Sequence, residues 1–421
     1  MKIFIQIMQG LLFLPLVLVA QNQKNVLEKI LVLEYDKLKT YIENPSYNVQ
    51  IVYSQINRDS NNYPSVSTYK YKVNTHNYIY PASTVKLPLI LLSLEKVNTI
   101  NESKKDYVLS KETRMTHLAG KYCPESAWGG NPQDPNPPCI AKYAEQMLLV
   151  SDNTAAARLY EFLGQKYIHQ TLSQKGYDSI RIVRRLGSNC QNPQQNACTN
   201  PILFYNEQMQ VIYKQNEICN DSVPPPLLPQ ILLGQSFVDF SGKKQNTAMD
   251  FTHNNFLPLD RLHELTIAAL LPQAMPPQKR FYLSPKDLLF LRRMMGAYPR
   301  EGQKTKYLPE QGYFDAYKKY FIYGQNPYAI INPNIRIFNI VGLAYGFAID
   351  SAYIVDFKNN VEFFLTAAIH TNRNQTLNDN TYEYSTEAMP FLKILSEIIF
   401  KYELARHKKY KTDLSMFKLF D

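Results

Sequence analysis

The chain has 421 residues, of which 45% are hydrophobic, and 46 Lys and Arg stand against 36 Asp and Glu for a formal charge of +10. The apolar content excludes a disordered or collagen-like chain, and the length is enough for a large two-lobed domain with a core of its own. A nucleic-acid partner is set aside despite the charge, because the only dense basic run, Arg406-His407-Lys408-Lys409-Tyr410-Lys411, lies in an expected terminal helix and tail where a solvated face accounts for it.

Residues 1–20 carry an early lysine and then an apolar run ending in Leu16-Val17-Leu18-Val19-Ala20, the pattern of a secretory signal cleaved after Ala20. Gln6, Gln9 and Pro15 interrupt that run, so cleavage is preferred to a retained membrane anchor, and an exported chain, periplasmic or secreted, with no stable span is expected. Residues 26–42 have apolar positions at helical spacing. Residues 47–56 and 68–73 alternate like two strands across a turn-rich loop.

The step Tyr80-Pro81-Ala82-Ser83-Thr84-Val85-Lys86 then tips into the apolar run Leu87 to Leu94. Ser83 is therefore expected at or just before the first turn of a buried helix, where unpartnered backbone N–H groups and the peptide dipoles favour a nearby negative charge. Lys86 shares its face at i+3 and, desolvated and neutral, is placed to take the hydroxyl proton. The spacing alone is weak, since Ser-x-x-Lys also occurs at Ser67, Ser93, Ser241 and Ser415, and a capping serine with a solvated lysine explains any one of them.

Residues 101–302 read as mostly helical with long loops. The five cysteines sit mid-chain; local pairing would join Cys123 to Cys139 and Cys190 to Cys198 and leave Cys219 free, with other connectivities open. Ser151-Asp152-Asn153 follows the apolar run Met147 to Val150 and opens an alanine-rich stretch. All three residue types suit a helix N-cap, yet the triplet is expected by chance only on the order of 0.1 times in a chain of this length. Helices are expected over 262–271 and 286–295, the second capped by Ser284. Strands are expected over 335–341, 346–355 and 361–368, and a closing helix over 387–405.

Ser-x-x-Lys at Ser83 and Lys86 followed by Ser151-Asp152-Asn153 resembles the signature of class A β-lactamases and penicillin-binding proteins. The resemblance runs from about residue 47 to 404. It implies an α/β fold of the α+β type: an antiparallel sheet built from both chain ends (about 24–100 and 330–410), flanked by helices, with an all-helical lobe inserted (about 101–329), in one domain spanning 21–421. It further implies that Ser83 attacks, Lys86 accepts its proton, Ser151 relays a proton to the leaving nitrogen and Asn153 binds a substrate amide. The backbone N–H groups of Ser83 and Leu343 would form the oxyanion hole beside the strand edge at Val341 and Gly342, and Trp128 would rim the cleft unless it is simply buried. No metal or other cofactor is implied, and the seven histidines show no zinc-ligand spacing.

Two departures stand out. Ile340 occupies the place of the family's strand lysine, and no glutamate lies between Glu161 and Glu207 to inherit the role of activating the deacylating water. Arg336 has the same strand parity as Ile340, but four residues along a strand is about 13 Å. Anionic β-lactams are therefore expected to bind weakly. Three readings remain: a β-lactamase-type hydrolase of a small molecule, a peptidase acting on peptidoglycan-derived substrate or another amidase or esterase, and a non-catalytic envelope protein that keeps the cleft for binding.

Overall fold

The computed structural model describes residues 25–74, 78–103, 108–127, 129, 131–220 and 230–420. The expected signal segment, Trp128 and the proline run at 224–226 lie outside them. In chain order come α1 (Val26–Leu33) and α2 (Tyr35–Glu43), β1 (Gln50–Arg58) and β2 (Pro64–Tyr71), and α3 (Lys86–Ser103). After β3 (Arg114–His117) follow α4 (Ile140–Val150), α5 (Asn153–Leu163), α6 (Gln165–Gln174), α7 (Pro193–Ala197), β4 (Ile202–Tyr205) and β5 (Val211–Gln215). Residues 232–250 hold the short strands β6 (Leu232–Leu233), β7 (Ser236–Val238), β8 (Lys244–Gln245) and β9 (Met249–Asp250). Then come α8 (Leu259–Leu270), α9 (Pro285–Gly296), β10 (Ile335–Ala344), β11 (Phe347–Asp356), β12 (Val361–His370), β13 (Thr376–Leu377) and α10 (Met389–Ala405).

Both chain ends meet in one five-stranded antiparallel sheet of order β10-β11-β12-β1-β2, as expected. One face, with Ile51, Tyr53, Val341 and Leu365, packs on α1, α2 and α10; the other, with Val52, Ile340, Tyr353 and Phe364, packs on α8, α9 and the residues around α3. With both faces covered, every residue of β11 is buried, which is why apolar residues stand at both parities of the strand, with Asp350 and Ser351 buried among them.

Several expectations are corrected. The single helix over 26–42 is two, broken at Glu34 (φ −126°) so that Leu27, Ile30 and Leu31 and then Leu38 and Ile42 all reach the same core. The region expected to be mostly helical contains the three-stranded sheet β3-β4-β5, whose strands of four or five residues are too short to announce themselves by periodicity. The disulfides are Cys123–Cys190 and Cys198–Cys219, and Cys139 is free. Cys139 caps α4, its Sγ accepting the Lys142 N–H at 3.4 Å, and is buried there away from Cys123. Among the described residues no helix is long and apolar enough to cross a membrane.

Candidate active site

Pro81 and a left-handed Ala82 (φ 47°) throw the chain into a single 3-10 turn, Ala82–Val85, that runs into α3 at Lys86. A non-glycine residue in that conformation costs roughly 1–2 kcal/mol. The turn is held by Thr84, whose N–H and hydroxyl both donate to the Pro81 carbonyl at 3.0 and 2.7 Å. Ser83, half-buried as a residue, is thus presented at the start of a buried helix, as its sequence context suggests.

Lys86 is fully buried, and its Nζ lies 2.9 Å from Ser83 Oγ, 2.5 Å from Ser151 O, 2.8 Å from Ser151 Oγ and 2.7 Å from Asn153 Oδ1. Ser151 reaches it because the link between α4 and α5 is only two residues: Ser151 ends α4 in the left-handed region (φ 60°) and Asp152 caps α5, accepting the Ala155 N–H at 2.7 Å. Burial pushes the Lys86 pKa down to about 7, against an upward pull from Asp152. A neutral amine has two N–H donors and one lone pair. The carbonyl oxygens of Ser151 and Asn153 can only accept, so they take the two hydrogens and leave the lone pair for a hydroxyl hydrogen from Ser83 or Ser151. Two short stretches far apart in sequence thereby form one hydrogen-bonded cluster around the Lys86 amine.

The strand edge completes the crevice. Tyr345 (φ 52°) and Gly346 (φ 82°) form the two-residue turn between β10 and β11, so Ala344 and Phe347 are the closing hydrogen-bonded pair and Leu343, one step back, points its N–H to the free edge. A Cβ on Gly342 would stand 2.7 Å from the Pro81 carbonyl oxygen and 3.3 Å from Ala82 Cβ. Gly342 is therefore needed by the turn that presents Ser83. Val341 turns its side chain into the core beneath α10, which leaves only its backbone at the edge.

Ile340 is buried in the other core layer, and Arg336 pairs with Glu301 at 2.9 Å, so neither supplies a cation to the crevice. A residue that sequence reasoning missed comes closer. Lys318, buried in the loop before β10, bonds the Leu148 and Met147 carbonyls at 2.8 and 3.3 Å, one turn before Ser151. Burial, and then the neighbouring Lys86 and Lys319, push its pKa well down. The only signal was the pair Lys318-Lys319 between Tyr317 and Tyr320, in a stretch with no apolar periodicity. Glu161, the last glutamate before the gap, is committed elsewhere: it bonds His117 Nδ1 at 2.8 Å and Arg158 at 3.1 Å, and these charges outweigh burial and lower its pKa. Among the described residues no carboxylate is bonded to Ser83 or Lys86. Cys123, Glu125 and Cys190 lie within ligand distance of one another, but the two sulfurs are bonded together and offer no thiolate.

Compared with known proteins, residues 35–221 match the description "Beta-lactamase enzyme family". That match spans less than half of the chain and is a likeness of this segment to the β-lactamase enzyme family. The matched segment carries Ser83, Lys86, Ser151 and Asn153, so the hydrogen-bonded cluster lies wholly within it. Among solved structures the chain aligns with a β-lactamase from Sphaerobacter thermophilus at 12% identity and TM-score 0.46, covering 89% of this chain and 99% of that one. A β-lactamase from Burkholderia phymatum aligns at 14% identity and TM-score 0.45 over 90% and 100% of the two chains. A class A β-lactamase from Clostridium kluyveri does so at 13% and 0.45 over 88% and 98%. No curated protein matches the sequence significantly.

Proposed function

We propose that the protein is an exported serine hydrolase that acts on a small-molecule amide or lactam through an acyl-enzyme on Ser83. The observation that carries this reading is the contact of the buried, near-neutral Lys86 amine with the hydroxyls of both Ser83 and Ser151. As Ser83 Oγ bonds the acyl carbon, its proton passes to the Lys86 lone pair, and the oxyanion is met by the N–H groups of Ser83 and Leu343. The carbon–nitrogen bond then breaks as Ser151 gives its hydroxyl proton to the leaving nitrogen and is reprotonated by Lys86. Asn153, with Oδ1 on Lys86, leaves Nδ2 for a substrate carbonyl. Water hydrolyses the ester and restores Ser83.

That last step lacks a carboxylate beside Ser83, which favours fast acylation and slow release, closer to a penicillin-binding protein than to an efficient β-lactamase. Labelling with a fluorescent penicillin, followed by peptide mass mapping, tests the proposal. The expected result is a stoichiometric adduct on Ser83 that is absent from Ser83→Ala, with nitrocefin turned over slowly. No adduct with any acylating probe would leave the binding protein as the reading.

A further inference from the structure

The stretch expected by resemblance to bring an acid over the nucleophile brings a base. Arg184 is half-buried, and among the described residues no carboxylate lies within 4.0 Å of its guanidinium. It is nonetheless held firmly. The buried Asn255 clamps its backbone, Oδ1 accepting the Val183 and Arg184 N–H groups at 2.8 and 2.9 Å and Nδ2 donating to the Arg184 carbonyl at 3.3 Å. The side chain is fixed by Nη1 donating to Asn254 Oδ1 at 2.7 Å and Nη2 to Gln191 Oε1 at 3.3 Å. Asparagine and glutamine orient a guanidinium without neutralising it.

Two contacts of flanking residues bring the segment that carries Arg184 to the crevice. Three residues on, Gly187 runs against Asn153, where a Cβ would stand 2.6 Å from the Asn153 Cβ. On the other side Phe251, three residues before the Asn254 that holds Arg184, packs its ring 5.5 Å from that of Tyr80 and 5.2 Å from that of Tyr345, and those two rings are 5.1 Å apart. Tyr80 is three residues before Ser83, and Tyr345 is two beyond Leu343. The charge of Arg184 is felt by both phenols. In a tetrahedral intermediate the oxyanion faces the Ser83 and Leu343 donors and the leaving group faces Ser151. The remaining substituent, the acyl chain, is left to run past the half-buried Tyr345, behind which Phe251 and Tyr80 are buried, toward Arg184.

We propose that Arg184 is an anion anchor for the acyl portion of the substrate, so that the enzyme selects acyl donors carrying a carboxylate a few carbons from the reacting carbonyl. This rests on the hydrolase reading of the same site. It differs from recognition of a carboxylate on the leaving-group side, the side where Ile340 replaces the family lysine.

The test compares the p-nitrophenyl monoester of glutaric acid with p-nitrophenyl butyrate on the wild type, Arg184→Gln and Arg184→Lys. A charge-assisted hydrogen bond of the usual strength predicts a drop in kcat/KM for the anionic ester on the order of 10- to 100-fold in Arg184→Gln, partial retention in Arg184→Lys, and near-constancy for the butyrate. Equal loss on both esters, or no loss on either, overturns it. Calorimetric binding of glutaric acid monoanilide to Ser83→Ala, with and without Arg184→Gln, separates this from the hydrolase reading. The anchor predicts 10- to 100-fold weaker binding in the double variant even if Ser83 acylates nothing, and equal binding contradicts it.

Discussion

Two buried lysines approach the end of α4 from different sides, and burial treats them unequally. Lys86 titrates at about 7, whereas Lys318 is pushed well down, with Lys86 among the causes. Lys86 is among the charges that lower Lys318, whereas the Lys86 shift comes from burial and Asp152, so the repulsion between the two falls on Lys318. It follows that Lys318→Met leaves the midpoint of the pH–rate profile for Ser83 acylation near 7, within a few tenths. A midpoint moved up by a full unit would mean that Lys318 is charged and depresses Lys86. Ser83, Lys86, Ser151 and Asn153 were legible because their chemistry is written in two short, contiguous motifs. Lys318 and Arg184 were not, because each is brought to the crevice by a loop whose path depends on tertiary contacts: the left-handed turn at Lys318 (φ 59°) and the Asn255 clamp on Arg184.

At the scale of elements, the site depends on how closely β10 approaches the 3-10 turn. The Gly342→Ala methyl would meet the Pro81 carbonyl, a backbone atom that can yield only by moving Ala82 and Ser83. Overpacking of this kind costs about 1–3 kcal/mol, and here the displaced group carries the nucleophile. The variant is expected to melt several degrees lower and to lose Ser83 labelling by more than its stability loss explains; unchanged labelling would show that the turn is not set by the strand. The long sheet strands were legible from alternation and from continuous apolar runs. The cysteine pairing was not, since it depends on residues 184–190 folding back over α5, which joins Cys190 to Cys123 across 67 residues.

For the whole molecule, the two-ended sheet was visible in the order of the elements, but the number of buried cations was not. Burial brings Lys86, Lys96 and Lys319 down to about 7 in the fold from an ordinary 10.5, and pushes Lys318 well down too. Between these limits the unfolded chain holds more protons than the folded one, so stability rises with pH. Asp350, raised to about 7 by burial, acts in the opposite sense only below that pH. The buried phenols, Tyr80 and Tyr160 among them, are raised above their ordinary 10.0, so stability falls again once unfolded tyrosines ionise. The melting temperature is expected to climb from pH 7 to about 9.5 and then fall; a decline across that interval would contradict the neutral burial of these lysines. All three scales converge on one pair, a hydroxyl at 83 and an uncharged amine at 86. The most direct measurement is the rate of mass-mapped acylation at Ser83 between pH 5 and 9, in wild type and Lys86→Met. The account predicts a rise with a midpoint near 7 and a loss in the variant on the order of 100-fold or more. A flat profile, or an adduct formed equally well without Lys86, would contradict it.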